Sequence, residues 1–145
     1  MFEKILVPID GSGPSWNALK TAEILAERFQ GELIVLHAAE SFSSTELYVD
    51  KLPQGNPEKE QEWKTRIGSR ILQEAQDRLK DFAGRKAFLL KVGYPSDVIV
   101  ETAKQENATS IVIGSRGLSG IAEFLLGSVS SRVLQYAPIP VMIVK

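Results

Sequence analysis

From Gly114 onward the chain spaces glycines as Gly114-x2-Gly117-x9-Gly127 and follows the last with Ser128-Val129-Ser130. Glycine has no Cβ to hold a ligand away from the backbone, and it tolerates positive φ. A loop built this way can turn successive N–H groups inward as a nest for an anion. If a helix begins at Ser128, its unpaired N–H groups and positive dipole end meet the same anion. The chemistry indicated is a phosphate cradle made of backbone rather than of charge, because Arg116 is the only cation between Ser110 and Ser131. Glu123 lies in the spacer and works against a triphosphate unless a metal ion neutralises it. The plain alternative is a strand-to-helix connection that needs turns, with its serines as caps.

A second stretch, Pro8-Ile9-Asp10-Gly11-Ser12-Gly13-Pro14-Ser15, offers one carboxylate in a glycine-rich turn. Asp10 can accept hydrogen bonds from ribose hydroxyls, or hold Mg²⁺ directly or through water. Its alternative is a turn residue, with Ser12 or Ser15 capping the following helix. Gly11-x-Gly13 is not a dinucleotide fingerprint, since position 16 is Trp where that motif packs a small residue. The later segment is not a P-loop either, because Gly127 is followed by Ser with no Lys. One His and no Cys exclude a Cys–His pair and a zinc centre. His37, at the end of an apolar run, reads as structural. Trp16 and Trp63 fall in helical patterns and read as packing residues rather than as base-stacking platforms.

Residues 4–7, 33–36, 86–92, 110–113 and 141–144, which precede or follow these loops, are short β-rich runs. Ala18, Leu19, Ala22, Leu25, Ala26 and Phe29 trace one helical face, with Gly31 as the expected C-cap. Trp63, Ile67, Ile71, Ala75, Leu79 and Phe82 predict the longest helix, stopped near Gly84. Ser96 is the expected N-cap of a helix to about residue 106, and Val129, Val133, Leu134 and Ala137 mark the last helix. Residues 39–57 read as a loop or lid. Strands alternating with helices predict a parallel sheet covered on both faces, with ligands beyond the carboxyl ends of the strands. If strand order reverses between the first and fourth strands, the two loops line one crevice.

The chain has 145 residues, enough for the single domain expected over positions 1–145. Seventeen basic residues balance eighteen acidic ones without a basic block, so neither a nucleic-acid backbone nor an anionic membrane is the expected partner. Absence of Cys and of an apolar leader suits a reducing compartment.

With these residues in view, the chain resembles the universal stress protein family. The glycine spacing resembles that family's nucleotide-binding signature. "KILVPIDGS" and "LIVLHA" resemble its first two strands, and "IVIGSRGLSG" and "LLGSVSSRVLQYAPIPVMIVK" its carboxy-terminal third. The resemblance covers nearly everything except about residues 39–59. It implies a Rossmann-like α/β fold of adenine nucleotide alpha hydrolase type, a five-stranded parallel sheet of order 3-2-1-4-5 with helices on both faces. It implies ATP as ligand, with Mg²⁺. Pro8, Ile9 and Asp10 would line the adenosine side, and the backbone of Ala38 would touch adenine in a slightly loosened pocket. Ile113 would precede the phosphate loop, and Gly114, Arg116, Gly117, Gly127, Ser128, Val129 and Ser130 would surround the phosphates. It further implies a cytoplasmic homodimer joined through Val141, Met142, Ile143 and Val144, an apolar edge that invites pairing. The expected function is a nucleotide-responsive regulator of stress response, with at most slow hydrolysis, since Asp10 is the only candidate base near the phosphates. The alternatives are a nucleotide-independent dimeric scaffold of the same fold and a small adenylating or pyrophosphate-releasing enzyme.

Overall fold

The computed structural model describes residues 1–40, 57–117 and 126–145. Nine elements alternate along them: β1 (Lys4–Pro8), α1 (Gly13–Phe29), β2 (Glu32–Ala39), α2 (Pro57–Arg78), β3 (Lys86–Val92), α3 (Pro95–Gln105), β4 (Ser110–Gly114), α4 (Ser128–Tyr136) and β5 (Val141–Val144). The strands form one parallel sheet of order β3-β2-β1-β4-β5, as expected.

Central strands of such a sheet are covered on both faces, so every position must be apolar. β1 shows how the alternation divides the core. Ile5 and Val7, with Leu33, Val35 and Val112, meet Ala18, Leu19 and Ala22 of α1, Leu72 and Ala75 of α2, and Leu79 just past its end. Leu6, Ile34, Leu36, Ile111 and Ile113 point the other way, onto Ile99 and Ala103 of α3 and Val133 of α4. Full burial of one such aliphatic side chain stabilises by about 1.5–3 kcal/mol. The edges differ: β3 carries Lys86 and Lys91, whereas β5 is Val-Met-Ile-Val and only partly buried.

Several local expectations are corrected. Gln30, not Gly31, takes the left-handed position closing α1, with φ 55° and ψ 37°. Gly31 is needed for closeness instead, because a Cβ there would collide with the Phe2 carbonyl oxygen. α3 begins two residues earlier than a Ser96 cap predicts. Tyr94 is its N-cap without a side-chain bond, because Pro95 presets the helical φ at the first turn. Ser96 is buried, and its hydroxyl accepts from Arg132 Nε at 3.1 Å. α2 stops at Arg78 rather than near Gly84. Leu79 and Phe82 keep packing through a turn whose carbonyls both accept from Lys86 Nζ, at 2.7 and 2.9 Å. β2 continues to Ala39, beyond the expected residue 36, because β3 pairs with it through Ala39↔Val92.

The reversal sits at β1, which has β2 on one side and β4 on the other. Chain leaving β1 and chain leaving β4 therefore diverge at neighbouring strand ends, which opens a crevice between them. Among the described residues, no helix is long and apolar enough to cross a membrane.

Candidate functional site

A crevice of about 820 Å³ opens at those strand ends. Pro8, Ile9 and Asp10 line it from β1, Ala38 from β2, and Ile113 and Gly114 from β4. Arg116, Gly117, Gly127, Ser128, Val129 and Ser130 complete the wall on the β4 side. All twelve residues singled out from sequence as nucleotide ligands thus border one volume.

The β1 loop is tightly specified. Ile9 N–H donates to Leu36 O at 2.8 Å, which carries the β1–β2 ladder one residue past the strand. Asp10 then makes the turn: its Oδ1 accepts from Ser12 N–H at 2.9 Å. Gly11 takes φ 85°, which an L side chain would resist. Ser12 is the N-cap of α1, accepting from Ser15 N–H at 3.3 Å, so the cap is the first of the two serines considered. Turn residue and site residue are compatible roles for Asp10, because one carboxylate oxygen serves the turn and the other lies against Gly117. A Cβ at position 117 would fall 2.6 Å from Asp10 Oδ2.

The β4 loop uses its glycines for approach and not for backbone conformation. Gly114, Gly117 and Gly127 do not adopt positive φ, so the conformational freedom available at the first two is not used. Gly114 lets β4 pass α1: a Cβ there would lie 2.8 Å from Pro14 C and Ser15 N. Gly127 lies over Arg116, with its would-be Cβ 3.3 Å from Arg116 Cα. The two ends of the segment are tied at Ser115, whose carbonyl accepts from Gly127 N–H at 2.7 Å and from Ser130 Oγ at 2.9 Å. Ser130 Oγ also lies 3.1 Å from Gly127 O, so its hydroxyl is spent on the loop. Ser12 Oγ reaches Arg116 O at 3.4 Å and joins the two loops. Gly120 and Glu123 fall outside the described residues.

α4 starts at this knot. Gly127 is its N-cap, with no side-chain bond to the first turn. The N–H groups of Ser128, Val129 and Ser130 belong to the first helical turn, which has no intrahelical acceptor. Together with the dipole they offer donors to an anion at the mouth of the loop.

The opposite end of the crevice is apolar. Ile67 and Ile71 of α2, Ile99 and Pro95 of α3, and Trp63 line it, along with Lys64, which lies 3.8 Å from Glu40. His37 is buried there and donates from Nδ1 to Ile9 O at 2.8 Å, in keeping with a structural role. Sequence reasoning did not mark these residues, nor Ser15 and Leu126, as part of the site. Their signal is ordinary apolar periodicity, which a cleft wall shares with a core. Gly68 is the one clue in that helix. A Cβ there would meet His37 Cδ2 at 2.6 Å, so this glycine brings α2 close to β2.

The described residues contain no group of three or more His, Asp or Glu suited to a metal ion. Asp10 supplies one carboxylate, which borders the same crevice as the first-turn N–H groups of α4. That fits a magnesium ion carried by phosphate oxygens and water, and does not make a site that would hold a free cation.

The universal stress protein family model matches residues 1–145. The universal stress protein YxiE of Bacillus subtilis is 35% identical over 156 aligned positions, covering all of both chains. Among solved structures, MJ0577 of Methanocaldococcus jannaschii superposes with a TM-score of 0.81 at 30% identity, covering 100% of this chain and 96% of its own. A universal stress protein solved in complex with cAMP superposes with a TM-score of 0.73 at 32% identity, covering 99% and 97%. Sheet order, the paired loops at β1 and β4, and similarity along the whole length agree: the chain belongs to the universal stress protein family.

Proposed function

We propose that the crevice binds an adenine nucleotide, ATP with Mg²⁺, and that the protein is a nucleotide-responsive regulator of stress response. The observation that carries this is the division of one 820 Å³ volume into a backbone-donor end and an apolar end. A nucleotide has the same division. The phosphates would take the N–H groups of Gly117, Ser128, Val129 and Ser130, and the base would lie among Ala38, Ile67 and Ile71. Asp10 would accept from a ribose hydroxyl or from water on the metal ion. The relative crystallised with cAMP, at 32% identity, supports the adenine class.

Regulation is favoured over turnover by the site's chemistry. Asp10 has one oxygen engaged by Ser12 N–H, and among the described residues it belongs to no group of three or more ligating side chains. The protein would act by presenting a different surface when loaded, and a ligand can shift such an equilibrium only by its differential affinity for the two states. We further propose a homodimer joined through β5, whose partly buried Val141, Met142, Ile143 and Val144 form an edge without the lysines that guard β3.

The test is direct. The purified protein is denatured and the supernatant assayed for nucleotide, then ATP is titrated with and without Mg²⁺ by calorimetry. Saturable binding that weakens in Gly117→Val is expected. Neither released nucleotide nor measurable binding would leave the nucleotide-independent scaffold standing. Many turnovers per minute would make the protein an enzyme.

A further inference from the structure

We infer that Trp63 stacks on the nucleobase and gives the crevice a preference for purines. The inference rests on the nucleotide-binding role proposed above.

The apolar stripe of α2 changes character along its length. Leu72 and Ala75, with Leu79 just past the helix end, are buried in the core beneath the sheet. Ile71, Ile67 and Trp63 continue the same stripe toward the amino end, but they line the crevice instead. Exposure grows in that direction, from partly buried isoleucines to a tryptophan 41% exposed. Side chains that keep an apolar surface open on a cleft leave area for a ligand to cover.

Three contacts fix the direction of travel. Ile71 is beside the β1 loop, with its Cδ1 3.5 Å from where a Cβ on Gly11 would stand. Gly68 touches His37, further out along β2. Lys64 reaches Glu40, just past the end of β2. The helix therefore climbs from the loop that holds Asp10 to the outer rim of β2. Trp63 is the last step, about 12 Å from Ile71 by helical rise.

The phosphate-competent N–H groups belong to β4 and α4, so a nucleotide seated on them extends its base toward β2 and α2. Ala38, a small residue, borders the same crevice as Trp63, so the β2 wall leaves room for a ligand. A flat aromatic surface next to such a gap suits a fused bicyclic base, which covers more of the ring than a pyrimidine does. The other tryptophan is already covered: the Arg78 guanidinium carbon sits 4.3 Å above the Trp16 ring centre.

Two tryptophans make the test spectroscopic as well as thermodynamic. In Trp16→Phe, Trp63 is the sole indole, and saturation with ATP or GTP should quench or shift its emission, with CTP doing so weakly. By calorimetry, Trp63→Leu should bind ATP roughly ten- to a hundredfold more weakly, as loss of one base–aromatic stack predicts. Its discrimination between ATP and CTP should collapse, and Trp63→Tyr should restore most of both. If wild type binds ATP but the single-tryptophan emission does not respond and Trp63→Leu keeps wild-type affinity, the stacking role is overturned while nucleotide binding stands. If wild type binds no nucleotide, both fail together. Should Trp63→Leu lose its fold, the emission response of Trp16→Phe decides the matter.

Discussion

The two ends of the crevice are made by opposite means. At the β4 end, matter has been left out. Gly114, Gly117 and Gly127 remove side chains that would strike Pro14, Asp10 and Arg116, and what remains is bare backbone and the start of a helix. At the β2 and α2 end, matter has been put in: Ile67, Ile71 and Trp63 bring apolar surface. The first end can recognise charge and geometry because N–H donors are fixed by the main chain. The second recognises area and shape. A ligand that satisfies both must be anionic at one end and flat at the other.

If the crevice holds a nucleotide as proposed, adenosine and ATP separate these ends experimentally, since only ATP would reach the donors. The largest effect is expected from Gly114→Val, which drives a branched side chain into the α1 backbone and tests the fold beneath the site. It should cost about 3 kcal/mol in a urea titration. Gly117→Val should leave the midpoint nearly unchanged, because the atom it strikes is a side-chain oxygen. By displacing Asp10 and filling the cradle it should weaken ATP binding by more than about tenfold, with a smaller loss for adenosine. Equal losses for both ligands would place the cradle elsewhere. Ser130→Ala removes the hydroxyl that ties Ser115 O to Gly127 O and should cost about 1 kcal/mol of stability. It should also weaken ATP more than adenosine. Ile67→Ala reverses that pattern: ATP and adenosine should weaken together, by roughly threefold to tenfold, through lost apolar area alone.

The smallest effect is a control at the far ends of the same strands. Glu32 accepts from Lys4, and this hydrogen bond, with attraction to Lys4 and Arg85, holds its carboxyl below the usual range against partial burial. A lowered folded pKa means stability that is present above the unfolded value and lost as pH falls through the folded one. Glu32→Gln should therefore flatten the acid side of the stability profile by less than about 1 kcal/mol and leave ATP affinity at neutral pH unchanged.

The same contrast governs what sequence could reveal. Missing side chains leave a mark: glycines at set intervals are rare enough to be noticed, and Gly114, Gly117 and Gly127 pointed to the β4 end. Of the two freedoms a glycine offers, the missing Cβ is the one used here: each serves close approach and none takes positive φ. Short apolar strands alternating with amphipathic helices made the parallel sheet legible, and resemblance to the family supplied its order. The apolar end left no separate mark, because Ile67 and Ile71 share one periodicity with Leu72 and Ala75. Only the position of α2 against β2 tells cleft from core, and that position depends on Gly68 meeting His37. Helix ends slipped where proline or lysine did work that caps usually do, as Pro95 does for α3 and Lys86 after α2.

Asp10 and Gly117 occupy what is nearly one volume, although 107 positions separate them in the chain. A side chain at position 117 is accommodated when the flexible carboxylate of Asp10 turns aside, so the two positions are coupled through the site and not through the fold. Gly117→Ala should therefore lower ATP affinity by a smaller factor in an Asp10→Gly background than in the wild type, with the unfolding midpoint little changed by Gly117→Ala in either.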